Sequence, residues 1–393
     1  MKDINSELQR NIQDVLHYDR GTAVENIVKL VFETIMNAER VEFLSTSEGN
    51  KANGYYQRLA QGINKYFKLN IPRDRLSMFK PVFLECVKAQ DAQMQDLAFK
   101  LYTKGLTTRD INEVFSEIYD KNLSSSSVSN ITKQFEQERQ AWLSRELDEQ
   151  YYFIYIDALF VPIRRDTVAK EAFYIVLGLK PNLQRDVLGV YNIPQESASG
   201  WFEVIEDLKS RGLRKCLMVI ADGLSGLSDI VKQQLPNTLF QRCLVHKIRN
   251  LLLKVRAKDK RALADDFHEI FELEQPQYNI DNAITRLDTF IEYWSCKYPS
   301  IEKAFKDQDI ENYFAYLNFP STIHRMIYTT NWIERLNKEI RRTTKIRNSF
   351  PNPDSAMNLI CACLMDFEQK TYRYPVTAFC KVKDILDAKL DML

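Results

Sequence analysis

The sequence predicts an α/β domain that follows a mostly helical N-terminal region and is interrupted by a helical segment. Three observations support this fold class. Between residues 151 and 245, five short apolar runs alternate with turns and amphipathic helices. Residues 1–45 and 91–135 have apolar residues at helical spacing, and residues 262–320 are helical in pattern and rich in aromatic side chains. The length of 393 residues allows two or three domains.

The N-terminal region divides into three predicted parts. Residues 1–50 form a helical segment, and residues 51–85 form a β-rich or irregular module in which basic and aromatic side chains alternate. Residues 86–150 contain three helices and a charged connector. In this part Gly105 can end the first helix and Thr107 can cap the second, a pattern typical of a helix-turn-helix.

The third of these helices begins with a run of serines. Small polar side chains in a first turn suit a recognition helix that enters the major groove of DNA, although a plain three-helix packing unit would have the same pattern. The candidate DNA-contacting residues in this turn are Ser126, Ser127, Ser129 and Asn130.

The α/β region has a distinctive order of elements. Three strands in succession are followed by helix, strand, helix, strand and helix, which is the order of the ribonuclease H-like fold. In that fold the first and fourth strands lie side by side. The five predicted strands are residues 151–160, 171–179, 186–193, 216–221 and 239–245.

The interval between the fifth strand and residue 334 is far longer than one crossover requires, so we expect an all-helical insertion inside the α/β domain. The first part of this domain is residues 151–261, the insertion is residues 262–320, and the last part is residues 321–393 with its C-terminal helices.

Three carboxylates are the candidate metal ligands. Asp157 closes the apolar run of residues 151–156, Asp222 closes the apolar run of residues 216–221, and Glu334 opens a helix that becomes basic. A buried carboxylate costs several kcal/mol unless it is paired or binds a metal. The alternatives are local: the aspartates could cap neighbouring turns, and Glu334 is spaced from Asn331 as in a capping box.

Composition narrows the function classes. The net charge is only +1, but residues 51–80, 241–261 and 321–350 form three basic blocks, which suggest surfaces for a polyanion. Seven cysteines without paired CxxC motifs indicate reduced thiols in a cytoplasmic protein. We expect no signal peptide, membrane span or structural zinc site. The candidate phosphate contacts are Arg73, Arg75, Lys247, Arg249, Lys338, Arg341, Arg342 and Lys345.

Several motifs match one family in order along nearly the whole chain. The most specific runs from Thr329-Thr330-Asn331-Trp332-Ile333-Glu334 into Arg341-Arg342-Thr343-Thr344. The others are at residues 53–55, 71–75, 102–111, 155–158, 221–227 and 243–250. The chain resembles the IS256-type, Mutator-like bacterial transposases. Trp332 stands where the family usually has proline.

The resemblance implies a DDE transposase that binds the terminal inverted repeats of an insertion sequence and cuts and joins DNA with two Mg²⁺ or Mn²⁺ ions. It assigns the ions to Asp157, Asp222 and Glu334, places His246 beside the scissile phosphate, and suggests a homodimer acting on terminal and target DNA. Two rival functions remain open: a DNA-binding regulator descended from a transposase, and a nuclease that hydrolyses without joining.

Overall fold

The computed structural model describes residues 13, 23–47, 49–61, 66–82, 96–102, 106–119, 125–165, 167–193, 197–271, 279–306, 309–345 and 349–393. The chain forms two compact units, residues 1–134 and residues 135–393.

The first unit contains the predicted β-rich module. A helix at Ala23–Thr46 precedes an antiparallel hairpin of β1 (Ala52–Gln61) and β2 (Tyr66–Asp74). The guanidinium of Arg40 on the helix donates to the backbone carbonyl of Gly54 on β1, at 3.1 Å. Helix and hairpin are therefore tied together by side-chain to backbone bonds.

The same unit contains the predicted helices. Residues 96–102 are helical, a further helix spans Thr108–Tyr119, and the helix Ser125–Leu143 begins in this unit and continues past residue 134 into the second. Thr107 is the predicted cap: its Oγ1 accepts from the Asp110 backbone N–H at 3.1 Å, and its own N–H donates to Asp110 Oδ2 at 2.7 Å. This reciprocal pair fixes the start of the second helix. Gly105 lies outside the described residues.

The second unit is built on a five-stranded mixed sheet. Its strands are β3 (Gln150–Arg164), β4 (Val168–Leu179), β5 (Arg185–Asn192), β6 (Lys215–Ala221) and β7 (Leu239–Arg242). Their order in the sheet is β5-β4-β3-β6-β7, in which β3, β4 and β5 are antiparallel and β6 and β7 run parallel to β3. The predicted adjacency of the first and fourth strands of this region is confirmed.

Two amphipathic helices cover one face of this sheet, Ala198–Ser210 and Leu227–Gln234. Trp201 is fully buried in this core and meets the ring of Tyr174 edge-on at 4.8 Å. The fifth strand is shorter than predicted. It ends at Arg242 because the chain turns into a helix at Leu244–Leu252.

The remaining elements are helical. Between β7 and residue 320 the described residues contain no strand; Phe350 later forms an isolated bridge with Ile163 of β3. The α-helices after the Leu244–Leu252 helix are Lys260–Ile270, Ile280–Ser295, Ser300–Phe305, His324–Ile327, Asn331–Thr344, Pro353–Phe367 and Lys383–Asp391.

The core packing gives a matched pair of stability variants on one helix. Trp201→Ala should lower the free energy of unfolding by about 3–5 kcal/mol, because it removes a fully buried indole from the sheet–helix core. Phe202→Ala on the same helix is the control, since its side chain is 40% exposed. Urea denaturation measures the free energy of unfolding of both variants. A loss for Trp201→Ala no larger than the loss for Phe202→Ala would contradict the burial argument.

Candidate active site

The pairing of β3 with β6 brings two carboxylates together. The parallel register pairs Ile156 with Ala221, so the next residues, Asp157 and Asp222, lie at the same level of the sheet. β6 ends at Ala221, whereas β3 continues to Arg164 in its hairpin with β4. Asp157 is therefore internal to β3, as the predicted strand of residues 151–160 implies, and only the pairing with β6 ends there.

The helix Asn331–Thr344, the Glu334 helix, is fastened to β3 beside Asp157. Asn337 follows Glu334 by three residues, is fully buried, and donates from its Nδ2 to Asp157 Oδ2 at 2.7 Å. Ile333, Leu336 and Ile340 form the buried apolar face of this helix, as needed for packing. The helix thus presents Glu334 on the side of the sheet where Asp157 lies.

His246 lies between the other two carboxylates. Its Nδ1 is 4.0 Å from Asp222 Oδ2, and its Nε2 is 3.6 Å from Glu334 Oε1. The second oxygen of Glu334 accepts from Arg249 at 2.9 Å. The structure therefore brings together the residues Asp157, Asp222, Glu334 and His246, which are far apart in sequence.

The capping-box alternative for Glu334 is wrong. The N-cap of its helix is Thr330, which has no side-chain cap hydrogen bond, and Asn331 is already helical. The carboxylate of Glu334 instead meets His246 and Arg249, so it faces the site.

Thr330 and Cys243 orient the imidazole. Thr330 Oγ1 lies 3.3 Å from His246 Nδ1 and donates to Cys243 Sγ at 3.3 Å, and the backbone N–H of Thr330 donates to the same sulfur at 3.4 Å. Cys243 is buried. Sequence reasoning missed Asn337 and Thr330, although both flank Glu334 within its motif.

Electrostatics in the site are strongly perturbed. Burial raises the pKa of Asp157 to about 6, with His246 opposing and Glu334 adding to the shift. Burial alone would lower the pKa of His246, but its contact with Cys243 and the charges of Asp222 and Asp157 outweigh burial and raise it to about 9. A protonated His246 therefore offsets part of the negative charge.

The carboxylates fit divalent metal ions. Glu334 Oε1 is buried and has no hydrogen-bond partner among the described residues, so a ligand-ready oxygen points into the site. Hard carboxylate oxygens are the donors that Mg²⁺ prefers. Ligand atoms of Cys243, His246 and Glu334 also lie within 4.8 Å of one another, a mixed set that suits softer ions such as Zn²⁺. The Cys243 sulfur already accepts two hydrogen bonds from Thr330, which favours the carboxylate set.

The basic stripe predicted on the Glu334 helix is exposed. Lys338, Arg341 and Lys345 are exposed and follow Glu334 at helical spacing. Arg342 is also exposed and forms an ion pair with Glu339 at 2.7 Å.

The other predicted DNA contacts have varied surroundings. In the first unit, Arg73 and Arg75 are exposed on and just after β2. The serine-run residues lie on the helix Ser125–Leu143, but their side chains are outside the described part of the structure; they are Ser126, Ser127, Ser129 and Asn130.

Lys247 does not fit its predicted role as a phosphate contact. Its side chain is buried, its Nζ donates to the backbone carbonyl of Ala304 at 2.6 Å, and the ammonium lies 3.7 Å from the ring centre of Phe305. Burial, with repulsion from Arg242 and Lys254, lowers its pKa to about 7. The side chain of Lys247 points to a different side of the helix from that of Arg249, because residues two apart on a helix face different sides.

The family model "Transposase, Mutator family" matches residues 2–373. The chain belongs to the Mutator family of transposases. Among its relatives, the transposase for insertion sequence element IS905 of Lactococcus lactis is 30% identical over 383 residues, covering 98% of this chain and 96% of the relative. The transposase for insertion sequence element IS256 in transposon Tn4001 of Staphylococcus aureus is 29% identical over 371 residues, covering 91% and 94%.

A Drosophila P element transposase in a strand transfer complex was also matched by structure. This match has 11% identity and a TM-score of 0.29, and it covers 75% of this Mutator-family chain and 85% of the other. A similarity this low carries no conclusion about the fold.

No helix in the described ranges has both the length and the apolar character needed to cross a membrane.

The raised pKa of Asp157 predicts that the ionised form of this carboxylate lowers the free energy of unfolding of this Mutator-family transposase. Because the folded pKa of about 6 exceeds the ordinary 3.8, ionisation of Asp157 destabilises the metal-free fold progressively as pH rises from about 4 to above 6. Asp157→Asn should therefore raise the unfolding free energy at pH 8 by about 1–3 kcal/mol.

Denaturation in EDTA at pH 8 and at pH 4 measures this effect. The gain should vanish at pH 4, where wild-type Asp157 is largely protonated. Asp148→Asn is the control, because Asp148 lies at the surface in an ion pair with Lys180. A destabilised Asp157→Asn variant at pH 8 would contradict the desolvation argument.

Proposed function

We propose that this Mutator-family transposase is the enzyme of an insertion sequence, and that it cuts and joins DNA at the site formed by Asp157, Asp222 and Glu334. The observation that carries the proposal is the convergence of these three carboxylates around His246, with Asn337 linking the Glu334 helix to Asp157. A regulator that had lost catalysis would have no reason to keep a buried carboxylate with a raised pKa.

The three carboxylates would hold two Mg²⁺ or Mn²⁺ ions. When bound, such a pair activates the attacking oxygen and stabilises the departing 3′-oxygen of a phosphodiester. Asn337 holds Asp157 by one oxygen, which orients the carboxylate toward the site. This matches the general need of metal ligands for hydrogen-bonded support.

The cations of the site have separate roles in this proposal. His246, oriented by Thr330, places a protonated imidazole beside the position of the scissile phosphate. Arg249 pairs with Glu334 and is 54% exposed, so it is free to turn to a phosphate when Glu334 takes up a metal ion. Lys338, Arg341 and Lys345 would then follow the DNA backbone along the Glu334 helix.

The architecture supports the same proposal. The sheet order β5-β4-β3-β6-β7 is the order expected of a ribonuclease H-like fold, and residues 262–320 would be a helical insertion between its two parts. The first unit would bind the terminal inverted repeats, using Arg73 and Arg75 for phosphates and the helix Ser125–Leu143 for bases. A homodimer would bring two element ends to a target DNA.

Catalysis is tested with isosteric variants. Asp157→Asn, Asp222→Asn and Glu334→Gln should each lower the rate of cleavage of a terminal-repeat duplex in Mg²⁺ by at least about 10³-fold, because the three ligands act as one unit. Glu339→Gln is the matched control: Glu339 is half-buried on the same helix, pairs with Arg342 rather than with the site, and its variant should cleave normally. Near wild-type cleavage by any of the three would remove that residue from the site. Products in which the cut 3′-end is joined to target DNA distinguish a transposase from a simple nuclease.

End recognition is tested by the salt dependence of binding. Arg73→Gln and Arg75→Gln should weaken binding of all duplexes and make the log–log salt slope shallower by about 0.9 per lost phosphate contact. Lys29→Gln, which removes a charge outside the basic block, should leave the slope unchanged. Gel-shift titrations at several salt concentrations measure the slopes, and unchanged slopes in both arginine variants would place end binding elsewhere.

A further inference from the structure

A cavity of about 420 Å³ opens directly beside Asp222, in the range typical of ligand pockets. Its floor contains buried residues, including Lys247 and Tyr313, and its rim contains exposed ones, including Lys254 and Leu253. Asp222 belongs both to this cavity and to the carboxylate site, so whatever occupies the cavity lies next to the reacting groups.

The walls of this cavity are positively charged. Arg242, Lys247 and Lys254 line it, and Asp222 is the lining residue of opposite charge. Neither Arg242 nor Lys254 has an ion pair with any described residue. The pKa of Lys247 is lowered first by burial and then by repulsion from Arg242 and Lys254, which indicates an excess of positive charge. An anion in the cavity would relieve this repulsion.

Arg242 is held against the active-site strand end. A Cβ placed on Gly223, the residue after Asp222, would lie 3.3 Å from Arg242 Nη1. The Nε of Arg242 is buried and has no hydrogen-bond partner among the described residues. Because Arg242 also lines the cavity, its Nη groups rather than the buried Nε would donate to a phosphate oxygen there.

The rim adds an apolar surface. Leu253 is 80% exposed at the mouth of a cationic cavity. Phosphate alone would gain nothing from this leucine, whereas the sugar or base of a nucleotide would pack against it.

We propose that this cavity, the Arg242 cavity, binds one nucleotide of the DNA strand next to the phosphodiester that is cut, with its phosphate held by Arg242 and Lys254. The inference rests on the proposed function and adds to it a subsite on the Asp222 side. Lys247 lies in the floor of the cavity, where its Nζ is held by the backbone carbonyl of Ala304.

The test neutralises one phosphate at a time. Terminal-repeat duplexes carry a single methylphosphonate at successive positions on either side of the scissile bond. For the wild type, one flanking position should lower kcat/KM for cleavage by about tenfold, the scale of one charge-assisted hydrogen bond. Lys254→Gln should cause a similar loss on the unmodified duplex and show no further loss at that position, because the two changes remove the same contact.

Lys258→Gln is the control, since Lys258 is an exposed cation nearby in sequence that does not line the cavity. A methylphosphonate at the sensitive position should lower kcat/KM for cleavage by Lys258→Gln about tenfold, as it does for the wild type. Arg242→Gln is the second test variant and should repeat the non-additive result. Circular dichroism checks that both cavity variants are folded.

The outcomes separate the two proposals. If the wild type cleaves but the losses are additive at every position for both Lys254→Gln and Arg242→Gln, the Arg242 cavity is not a nucleotide subsite. If a free mononucleotide inhibits the wild type but not Lys254→Gln while the losses stay additive, the cavity binds a separate effector and the proposal is wrong. Failure of the wild type to cleave any duplex contradicts the proposed function instead.

Discussion

The parallel pairing of β3 with β6 is the constraint on which the site depends. A shift of one residue in this register would turn Asp157 to the opposite face of the sheet from Asp222. The register is held by the apolar side chains that both strands bury, among them Ile154, Ile156 and Val219. Asp157 points to the face of β3 opposite Ile156, where Asn337 of the Glu334 helix contacts it, and burial on that face raises its pKa.

Support around the carboxylates comes from residues without charge. Asn337 holds Asp157, and Thr330 with Cys243 holds His246. Thr330 and Asn337 flank Glu334 on one short stretch of chain, so placement of that stretch orients a carboxylate, an aspartate and an imidazole together. Trp332 packs against Tyr155 of β3 at 5.4 Å, which shows what the residue in place of the usual proline does here: it adds an aromatic contact between the Glu334 helix and the sheet.

Much of this arrangement was predictable from sequence, because local periodicity reports which face of an element is buried. The strands, the Thr107 cap and the exposed stripe after Glu334 follow from such patterns. The full length of β3 did not, since its extension beyond residue 160 to Arg164 is set by pairing with β4 rather than by apolar content. The bond from Asn337 to Asp157 joins positions far apart in sequence, and no local pattern reports it.

Lys247 shows where reasoning from charge alone fails. His246 and Arg249 are three residues apart and share a helix face, whereas Lys247 is one residue from His246 and points about 100° away around the helix. A basic run therefore divides between the open site and the protein interior.

For a chain with a net charge of +1, the positions of the exposed cations matter more than the total charge, because salt screens exposed charges beyond about 8–10 Å. Affinity for a polyanion then depends first on the cations nearest the carboxylates: Arg249 beside Glu334, Arg242 beside Asp222, and Lys338 one turn along the helix. Arg341 and Lys345 lie further along the same helix. Near neutrality overall is thus compatible with a strongly cationic path for DNA on either side of an acidic centre.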